Sequence, residues 1–397
     1  MSSLNEISTI LSTLRMESDP ELAPLFYQFE EFYTQKLYHQ LTQSLDIFFQ
    51  DPKSAPLRLR VYDTFVSKFV DKINQLSVVE FLLLALKNHH NNDESLKYLT
   101  LLDENFKAID EKKQRNDGLK NHKSGSLLIS IEKARIYLFK NEPMKARDLL
   151  DELEQVLDKQ DTTPLRVTNA FYSVNADYYK RKNDFNTFYY TSLLYLSSLP
   201  PNEQEITDVN INERKELAYD LSVAALLGDR IYNFGELLQH PIISVLKNDS
   251  HYEWLFHLLN ALSVGDFNKF DNYIKVQISN IPILAENESF LRQKICLMAL
   301  VESVFAKNIR TLSFDDISKA THLEFDNVEH LIMKAISLGL LKGIIDQVNQ
   351  LVSITWVQPR IISGDQITKM KDRLVEWDEQ VTILAKKIDA KGKPLWV

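Results

Sequence analysis

The stretch from Leu291 to Trp356 constrains the fold of this chain more than any other part of the sequence. Residues Leu291 to Phe305 are apolar on nearly every helical face, which predicts a helix buried on several sides. Leu312 then begins a short extended piece. Ser313 precedes Asp316 at the spacing of an N-terminal cap followed by an acid, so a second helix is predicted to begin there.

The third predicted helix of this stretch begins where Asp326 and Glu329 repeat the cap spacing. Gly339 follows its last turn, at the position where a left-handed residue commonly ends a helix. Apolar residues recur along one face and predict that this face is buried. They are Val328, Leu331, Ile332, Ala335 and Ile336.

Two predicted strands follow this third helix. Leu341 to Val348 and Leu351 to Val357 are rich in residues that favour β-structure. They flank Asn349 and Gln350, which are predicted to form a two-residue turn in which Asn349 accommodates a positive φ. Three helices followed by a hairpin predict a winged helix.

The chain upstream of the winged helix shows a weak internal repeat. In each repeat a helix ends at a polar turn and a second helix begins, at spacings of roughly 37 to 45 residues. The turns are Asn141-Glu-Pro143, Asn183-Asp184, Gly228-Asp229 and Gly265-Asp266. Such hairpins bury their apolar faces by stacking on their neighbours, so the repeat predicts a solenoid. Residues 116–126, which lack apolar periodicity and contain two glycines, are predicted to form an exposed loop.

A heptad pattern marks the C-terminal segment. Apolar residues alternate three and four positions apart, which predicts one helix with a narrow apolar seam. The seam residues are Ile367, Met370, Leu374, Trp377, Val381, Leu384 and Ile388. Such a seam requires a partner helix or a helical bundle. The alternative is that the helix folds back onto the winged helix of its own chain.

Composition agrees with a mainly α-helical protein, because the 397 residues include only 9 Gly and 12 Pro. The predicted fold is a right-handed solenoid of TPR-like helical hairpins, followed by the winged helix and the heptad helix. The predicted domains are residues 1–285, 286–360 and 361–397.

Net charge, cysteine content and the length of apolar runs limit which classes of protein this chain can belong to. The net charge of -9 argues mildly against a phosphate-binding surface. The lone Cys296 excludes an intrachain disulfide and any multi-cysteine zinc site, and fits a reducing compartment. The N-terminus lacks the pattern of a secretory signal, and apolar runs such as Phe81 to Leu86 are far too short to span a bilayer. We expect a protein of the cytoplasm and nucleus that does not interact with membranes.

Sequence motifs for catalysis are absent. The chain has no His-Glu-X-X-His, no phosphate-binding loop and no Gly-X-Ser-X-Gly. His251 and His257 are six residues apart and cannot share a metal ion from one helix. We therefore predict no catalytic, cofactor-binding or metal-binding residues.

A winged helix also raises the alternative of nucleic-acid binding. Between Lys307 and Arg360, basic and acidic residues are equal in number. A nucleic-acid reader would need several unopposed Lys or Arg side chains, and acids near the start of its reading helix would repel phosphate. We therefore expect no nucleic-acid partner and keep a nucleic-acid adaptor as an alternative.

The run KICLMALVESVFAKNIRTLSFDDISKATHLEFDNVEHLIMKAISLGLLKGIIDQVNQLVSITWVQPR resembles a PCI module. Together with DPELAPLFYQFEEFY and GDRIYNFGELLQHP upstream, essentially the whole chain resembles the PCI-domain subunits of the proteasome regulatory particle lid. The resemblance implies a non-catalytic scaffold that supports lid assembly and ubiquitin-dependent protein degradation. The COP9 signalosome and translation initiation factor three contain PCI scaffolds too, and remain alternatives.

Two interaction surfaces are expected from this resemblance together with the residues themselves. Other PCI subunits of the lid would dock on the wing, where Gly343, Ile344 and Ile345 lack the prolines and inward charges that protect a sheet edge. The C-terminal helices of lid subunits would pack in a helical bundle along the heptad seam.

Overall fold

The computed structural model describes residues 2–87, 91–117, 123–159, 163–199, 211–247, 249, 251–276, 281–306, 311–358 and 364–392. The chain forms two compact units, residues 1–205 and 206–397. Helices dominate both units, and the described strands form one small sheet in the second. The mainly α-helical fold class is therefore confirmed, whereas the three predicted domain boundaries stay a prediction.

The first unit consists of α-helices joined by short connections, with two 3-10 segments at Pro52–Ser54 and Val66–Lys72. Its helices are α1 (Ser2–Glu17), α2 (Ala23–Thr34), α3 (Tyr38–Gln50), α4 (Arg58–Thr64), α5 (Gln75–Leu86), α6 (Asn92–Asp117), α7 (Lys123–Phe139), α8 (Pro143–Leu157), α9 (Leu165–Lys182) and α10 (Phe185–Ser198).

Aromatic side chains fill the beginning of the first unit's core. Phe26 and Phe48 are fully buried and meet edge to face, with ring centroids 5.5 Å apart. Phe49 and Phe81 stack with centroids 4.8 Å apart. Each large ring buries more apolar area than an aliphatic side chain, so few residues suffice to close the space between short helices.

The predicted turns of the internal repeat occur at helix ends. Asn141, Asn183 and Gly265 all take left-handed φ values, of 60°, 60° and 75° respectively. Asp184 then caps the following helix, because its carboxylate accepts from the backbone N–H of Thr187 at 3.2 Å. Asp266 caps in the same way, accepting from the backbone N–H of Lys269 at 3.3 Å, whereas Glu142 makes no side-chain cap after Asn141. In each case the left-handed residue reverses the chain within two residues and pairs consecutive helices as hairpins.

The turn at Gly228 differs from the other three. The helix before it ends at Leu227, and the next begins only at Gly235. The intervening residues include Ile231, Tyr232 and Phe234, which are buried. A Cβ atom on residue 228 would lie 2.4 Å from the end of the Ile231 side chain, which would have to shift to make room for it.

The prediction of an exposed loop at residues 116–126 is wrong at both of its ends. Helix α6 extends to Asp117, and α7 begins at Lys123. Gly125 is buried inside α7, where a Cβ atom would lie 2.9 Å from the ring of Phe106. This glycine serves close helix packing rather than a turn. Residues 118–122 lie outside the described part of the chain.

The second unit contains further helices and a three-stranded sheet. Its elements are α11 (Ile211–Leu227), α12 (Gly235–Gln239), α13 (Ile242–Lys247), α14 (Glu253–Val264), α15 (Phe267–Val276), α16 (Pro282–Glu286), α17 (Glu288–Ala306), β1 (Thr311–Ser313), α18 (Phe314–Thr321), α19 (Phe325–Ser337), β2 (Leu341–Asp346), β3 (Leu351–Val357) and α20 (Gly364–Gly392).

The three helices and the hairpin predicted for the winged helix are present as α17, α18, α19 and the strands β2 and β3. Ser313 caps α18 as predicted, since its Oγ accepts from the N–H of Asp316 at 3.2 Å. Gly339 has the expected left-handed φ, 73°. On α19 the predicted face is buried at Val328, Leu331, Ile332 and Ala335 and half-buried at Ile336.

Two local predictions in this region are wrong. Helix α19 begins at Phe325 after Glu324, without a side-chain cap, so Asp326 lies inside the first turn instead of capping it. The hairpin turn spans residues 347–350 rather than two residues, and Gln350, not Asn349, has the positive φ of 55°. Asp346 determines this turn, because its carboxylate accepts from the backbone N–H of Asn349 at 3.1 Å and from its side-chain amide at 2.8 Å.

The sheet is antiparallel, with strand order β1-β3-β2. Val352 and Ile354 point to the buried face, whereas Leu351, Ser353 and Thr355 alternate onto the exposed face. This alternation is the period-two pattern of a sheet with one face on the core. The strand order places β2 at one edge of the wing.

Candidate interaction surfaces

The predicted wing-edge residues all lie on β2. This strand pairs with β3 on one side, and no described strand lies on its other side. Ile344 is 71% exposed, whereas Gly343 and Ile345 are half-buried. An edge strand presents unpaired N–H and C=O groups, so β2 offers hydrogen bonds to a strand added from outside.

A break in register limits how much of this edge can pair. Lys342 lies opposite Trp356, but Gly343 lies opposite Ile354, which leaves one residue of β3 unmatched. Bulges of this kind twist the strand locally and interrupt pairing. At Gly343 a Cβ atom would lie 2.5 Å from the carbonyl oxygen of Ser353, so glycine is needed for the close approach. The regular part of the edge is residues 343–346.

The tip and outer face of the wing carry exposed apolar side chains that the sequence reasoning did not single out. Val348 at the tip is 93% exposed, and Leu351 pairs with Asp346, two residues along β2 from the exposed Ile344. The period-two pattern could have identified Leu351, since it alternates with the buried Val352 and Ile354. The wing is thus apolar beyond its edge.

The predicted heptad residues share one face of the C-terminal helix, residues 364–392. Their side chains are between 43% and 64% exposed in this chain. Every other side chain that the structure describes in this helix is exposed as well. The seam is therefore available to a partner, as the heptad pattern predicts.

Lys294 forms a buried polar site that sequence reasoning missed. It lies on α17, is 1% exposed and reaches the C-terminal end of α11. Its Nζ donates to the carbonyl oxygens of Ala225 at 2.8 Å, Leu226 at 3.1 Å and Gly228 at 2.8 Å. Two of these carbonyls belong to the last turn of α11 and the third to the residue just after it, where helix acceptors lack intrahelical donors and the dipole favours a cation.

Aromatic rings complete the surroundings of this amine. The Nζ of Lys294 lies 5.4 Å from the ring centroid of Tyr232, 5.2 Å from that of Phe234 and 5.6 Å from that of Phe290. Burial lowers the pKa of Lys294 to about 7, and the Asp229 carboxylate partly opposes this change. Carbonyl oxygens and rings surround the amine, so its role is to close a helix end rather than to attack a substrate.

The titratable residues considered for catalysis are separate in the fold. His257 lies 3.3 Å from Glu253 on its own helix, and the ring of His251 packs on Tyr252. Cys296 is half-buried, and burial raises the pKa of its thiol. Within the described ranges, no three His, Cys, Asp or Glu residues lie close enough to hold a metal ion.

The outward face of α19 is the surface that a nucleic-acid reader would use. Lys334 donates to the side chain of Gln293 at 2.6 Å, and Glu329 accepts from Gln347 at 3.0 Å. Met333 between them is 52% exposed. This face thus carries one lysine that is already hydrogen-bonded, one glutamate and one exposed methionine, which is a poor composition for binding phosphate.

Of the helices that the structure describes, none has the length and apolar character needed to cross a membrane. The C-terminal helix is among them, and it carries charged residues along its whole length.

Three family models match the chain in succession. The PSD13 N-terminal repeats match residues 25–259, the PCI domain matches residues 266–356, and the Rpn9 C-terminal helix matches residues 360–392. The wing edge lies within the second match and the heptad seam within the third.

Curated relatives match over nearly the full length. The 26S proteasome regulatory subunit RPN9 of Saccharomyces cerevisiae is 68% identical over 99% of both chains. The probable 26S proteasome regulatory subunit rpn9 of Schizosaccharomyces pombe is 40% identical, over 93% of this chain and 92% of its own. The 26S proteasome non-ATPase regulatory subunit 13 homolog A of Arabidopsis thaliana is 31% identical, over 95% and 96% respectively. The chain described here belongs to this family of PCI-domain proteasome regulatory subunits.

Proposed function

We propose that this chain is a non-catalytic scaffold subunit of the proteasome regulatory particle lid. In this role it supports lid assembly, and through it ubiquitin-dependent protein degradation in the cytoplasm and nucleus. The observation that carries the proposal is the C-terminal helix, whose seven seam side chains are 43–64% exposed in the free chain. Leaving this much apolar surface in water is costly, so the seam is built for burial in a complex.

Two surfaces divide the scaffolding role. The edge of β2 accepts a neighbouring PCI subunit by strand addition over residues 343–346. The heptad seam packs against the C-terminal helices of other lid subunits in a bundle.

The full-length relatives favour the proteasome lid over the two other PCI assemblies. The three described above are all 26S proteasome regulatory subunits, and they match at least 93% of this chain. A COP9 signalosome or initiation-factor scaffold, or a nucleic-acid adaptor, therefore becomes the less supported alternative.

Affinity purification followed by mass spectrometry tests the proposal. The tagged full chain is expected to recover proteasome regulatory particle subunits in stoichiometric amounts. The same chain without residues 364–397 is expected to lose them, while its melting temperature stays within about 2 °C because the helix buries little of itself against the rest. Recovery of signalosome or initiation-factor subunits in place of proteasome subunits would refute the assignment.

A further inference from the structure

The charged residues of the C-terminal helix are not distributed evenly around its axis. In the heptad, Ile367, Leu374, Val381 and Ile388 occupy the a positions, and Met370, Trp377 and Leu384 occupy the d positions. The side chains at e and g lie beside this seam and face the partner helix, whereas those at b, c and f point away.

One flank of the seam is basic. The g positions that follow Ile367 are Arg373, Gln380 and Lys387, and all three side chains are exposed. Arg373 and Lys387 are two heptads apart, about 21 Å along the helix axis. No acid interrupts them on this flank. The e positions, Lys371, Asp378 and Ala385, show no such bias.

The acids of the helix lie mainly on its back. Asp365, Asp372, Glu376, Glu379 and Asp389 occupy b, c or f positions, where only Lys369 and Lys386 are basic. The helix from Gly364 to Gly392 has equal numbers of acidic and basic residues. The asymmetry therefore lies in where the charges are placed around the helix and not in an excess of one charge. Charges at e and g positions select coiled-coil partners, which gives this sorting a function.

We propose that the basic flank formed by Arg373 and Lys387 selects a partner helix with an apolar heptad seam and acidic residues at the positions that face it. The inference rests on the proposed scaffold function and adds the chemistry of the partner. The acids of that partner are expected two heptads apart, matching Arg373 and Lys387. Attraction across the flank guides the register, while the seam supplies most of the affinity.

A second copy of this chain fits the flank poorly. In an antiparallel pair, g positions face g positions, so Arg373 and Lys387 would oppose the same bases of the other copy. In a parallel pair, Trp377 would face itself at a d position, and only Arg373 would meet an acid, Asp378. The seam also spans only about three heptads, which is marginal for an autonomous dimer.

Charge reversal in the full chain tests this inference during reconstitution with the remaining lid subunits. The double variant Arg373→Glu/Lys387→Glu is expected to incorporate about 10-fold more weakly at roughly 50 mM salt. The matched control Lys369→Glu/Lys386→Glu makes the same charge change on the back and is expected to stay within about 2-fold of the unchanged chain. At roughly 500 mM salt the two variants should converge, because screening weakens exposed ion pairs.

A third variant separates this inference from the scaffold function. Leu374→Asp/Trp377→Ala disrupts the seam and reports on the scaffold role alone. If both charge variants incorporate equally while the seam variant fails, the basic flank has no selective role and the scaffold function stands. If the seam variant incorporates fully, both proposals fail. A dimer of the full chain in sedimentation equilibrium would overturn the choice of partner, and charge variants that melt as the unchanged chain does exclude misfolding.

Discussion

The amine of Lys294 donates a hydrogen bond to the carbonyl oxygen of Gly228 at 2.8 Å, across 66 residues of sequence. This contact closes the C-terminal end of α11 from α17, the first of the three helices of the winged helix. Arg58 makes a comparable contact in the first unit, where its guanidinium donates to the carbonyl oxygen of Asp51 at 2.9 Å, just after the end of α3. Basic side chains from neighbouring elements thus recur as caps for helix C-termini.

We predict that Lys294→Met lowers the free energy of unfolding by about 2 kcal/mol at pH 7.5, since buried carbonyl oxygens at the end of α11 lose their donor while the apolar volume is kept. Chemical denaturation monitored by circular dichroism measures the change. Lys247→Met on the exposed side of α13 is the matched control and should remain within about 0.5 kcal/mol. Equal stability of the two variants would show that the buried amine contributes no net stabilisation.

The pH dependence of this stability has a defined sign. Burial lowers the folded-state pKa of Lys294 from 10.5 to about 7, so the unfolded chain binds more protons between these two values. The contribution of Lys294 to stability therefore rises as pH increases through this window. We expect the stability gap between the unchanged chain and Lys294→Met to be larger at pH 9 than at pH 7. A gap that is the same at pH 7 and pH 9 would indicate that the carbonyl oxygens hold the amine charged in the folded chain throughout this range.

Features determined by neighbouring residues could be predicted from the sequence, and features determined by distant contacts could not. The left-handed turns at Asn183 and Gly265 and the cap at Ser313 need only a few residues of context. The predicted cap at Asp326 was wrong because α19 begins at Phe325, one residue before Asp326, with Glu324 at the capping position. The spacing of Asp326 and Glu329 alone does not reveal where the helix begins.

The burial of Lys294 and of Gly125 depends on residues that are distant in sequence. A lysine within an apolar helix carries no local signal for three carbonyl oxygens that are 66 to 69 residues away. Gly125 was predicted to lie in a loop because glycine is common in loops. The reason for glycine at this position is the ring of Phe106 on another helix, which leaves no room for a Cβ atom. The heptad seam was easier to locate, because its apolar period lies within one helix and is complete in the sequence, whereas its role as an interaction surface stays a prediction.

Proline substitutions on β2 test the wing edge. Successive N–H groups of a strand point to opposite sides, so one of Ile344→Pro and Ile345→Pro removes a hydrogen bond to β3 and the other removes an outward donor. We expect the variant that keeps the melting temperature of the monomer to lose docking to a neighbouring PCI subunit in native gels. If that stable variant still enters the lid normally, strand addition at this edge is wrong.

Nucleic-acid binding is expected to be absent. The outward face of α19 offers one lysine, Lys334, which already donates to Gln293, and the same helix carries the acid Glu329. The purified chain should bind generic DNA or RNA no better than an acidic control protein at roughly 50 mM salt, where phosphate contacts are strongest. Fluorescence anisotropy measures this. Micromolar binding that falls steeply with salt would restore the adaptor alternative.

The heptad seam leads to the sharpest prediction, because it separates folding from assembly. Leu374 and Trp377 are each 64% exposed, so Leu374→Asp/Trp377→Ala removes little that the isolated chain has buried. We expect its melting temperature to change by less than about 2 °C. Incorporation into the lid should be lost, since truncating a large aromatic in the centre of an interface commonly costs about 2 kcal/mol or more and the new aspartate would be buried without a partner.

Val375→Ala on the back of the same helix is the control for this seam variant, because it changes an exposed apolar side chain outside the seam. It should melt and sediment with the lid subunits as the unchanged chain does. A seam variant that melts far lower in isolation would mean that the helix folds back on its own chain in solution. A seam variant that sediments with the complete lid would show that this helix is not part of the interface. Loss of sedimentation at an unchanged melting temperature is the result that the seam predicts, because its exposed side chains then stabilise only the complex.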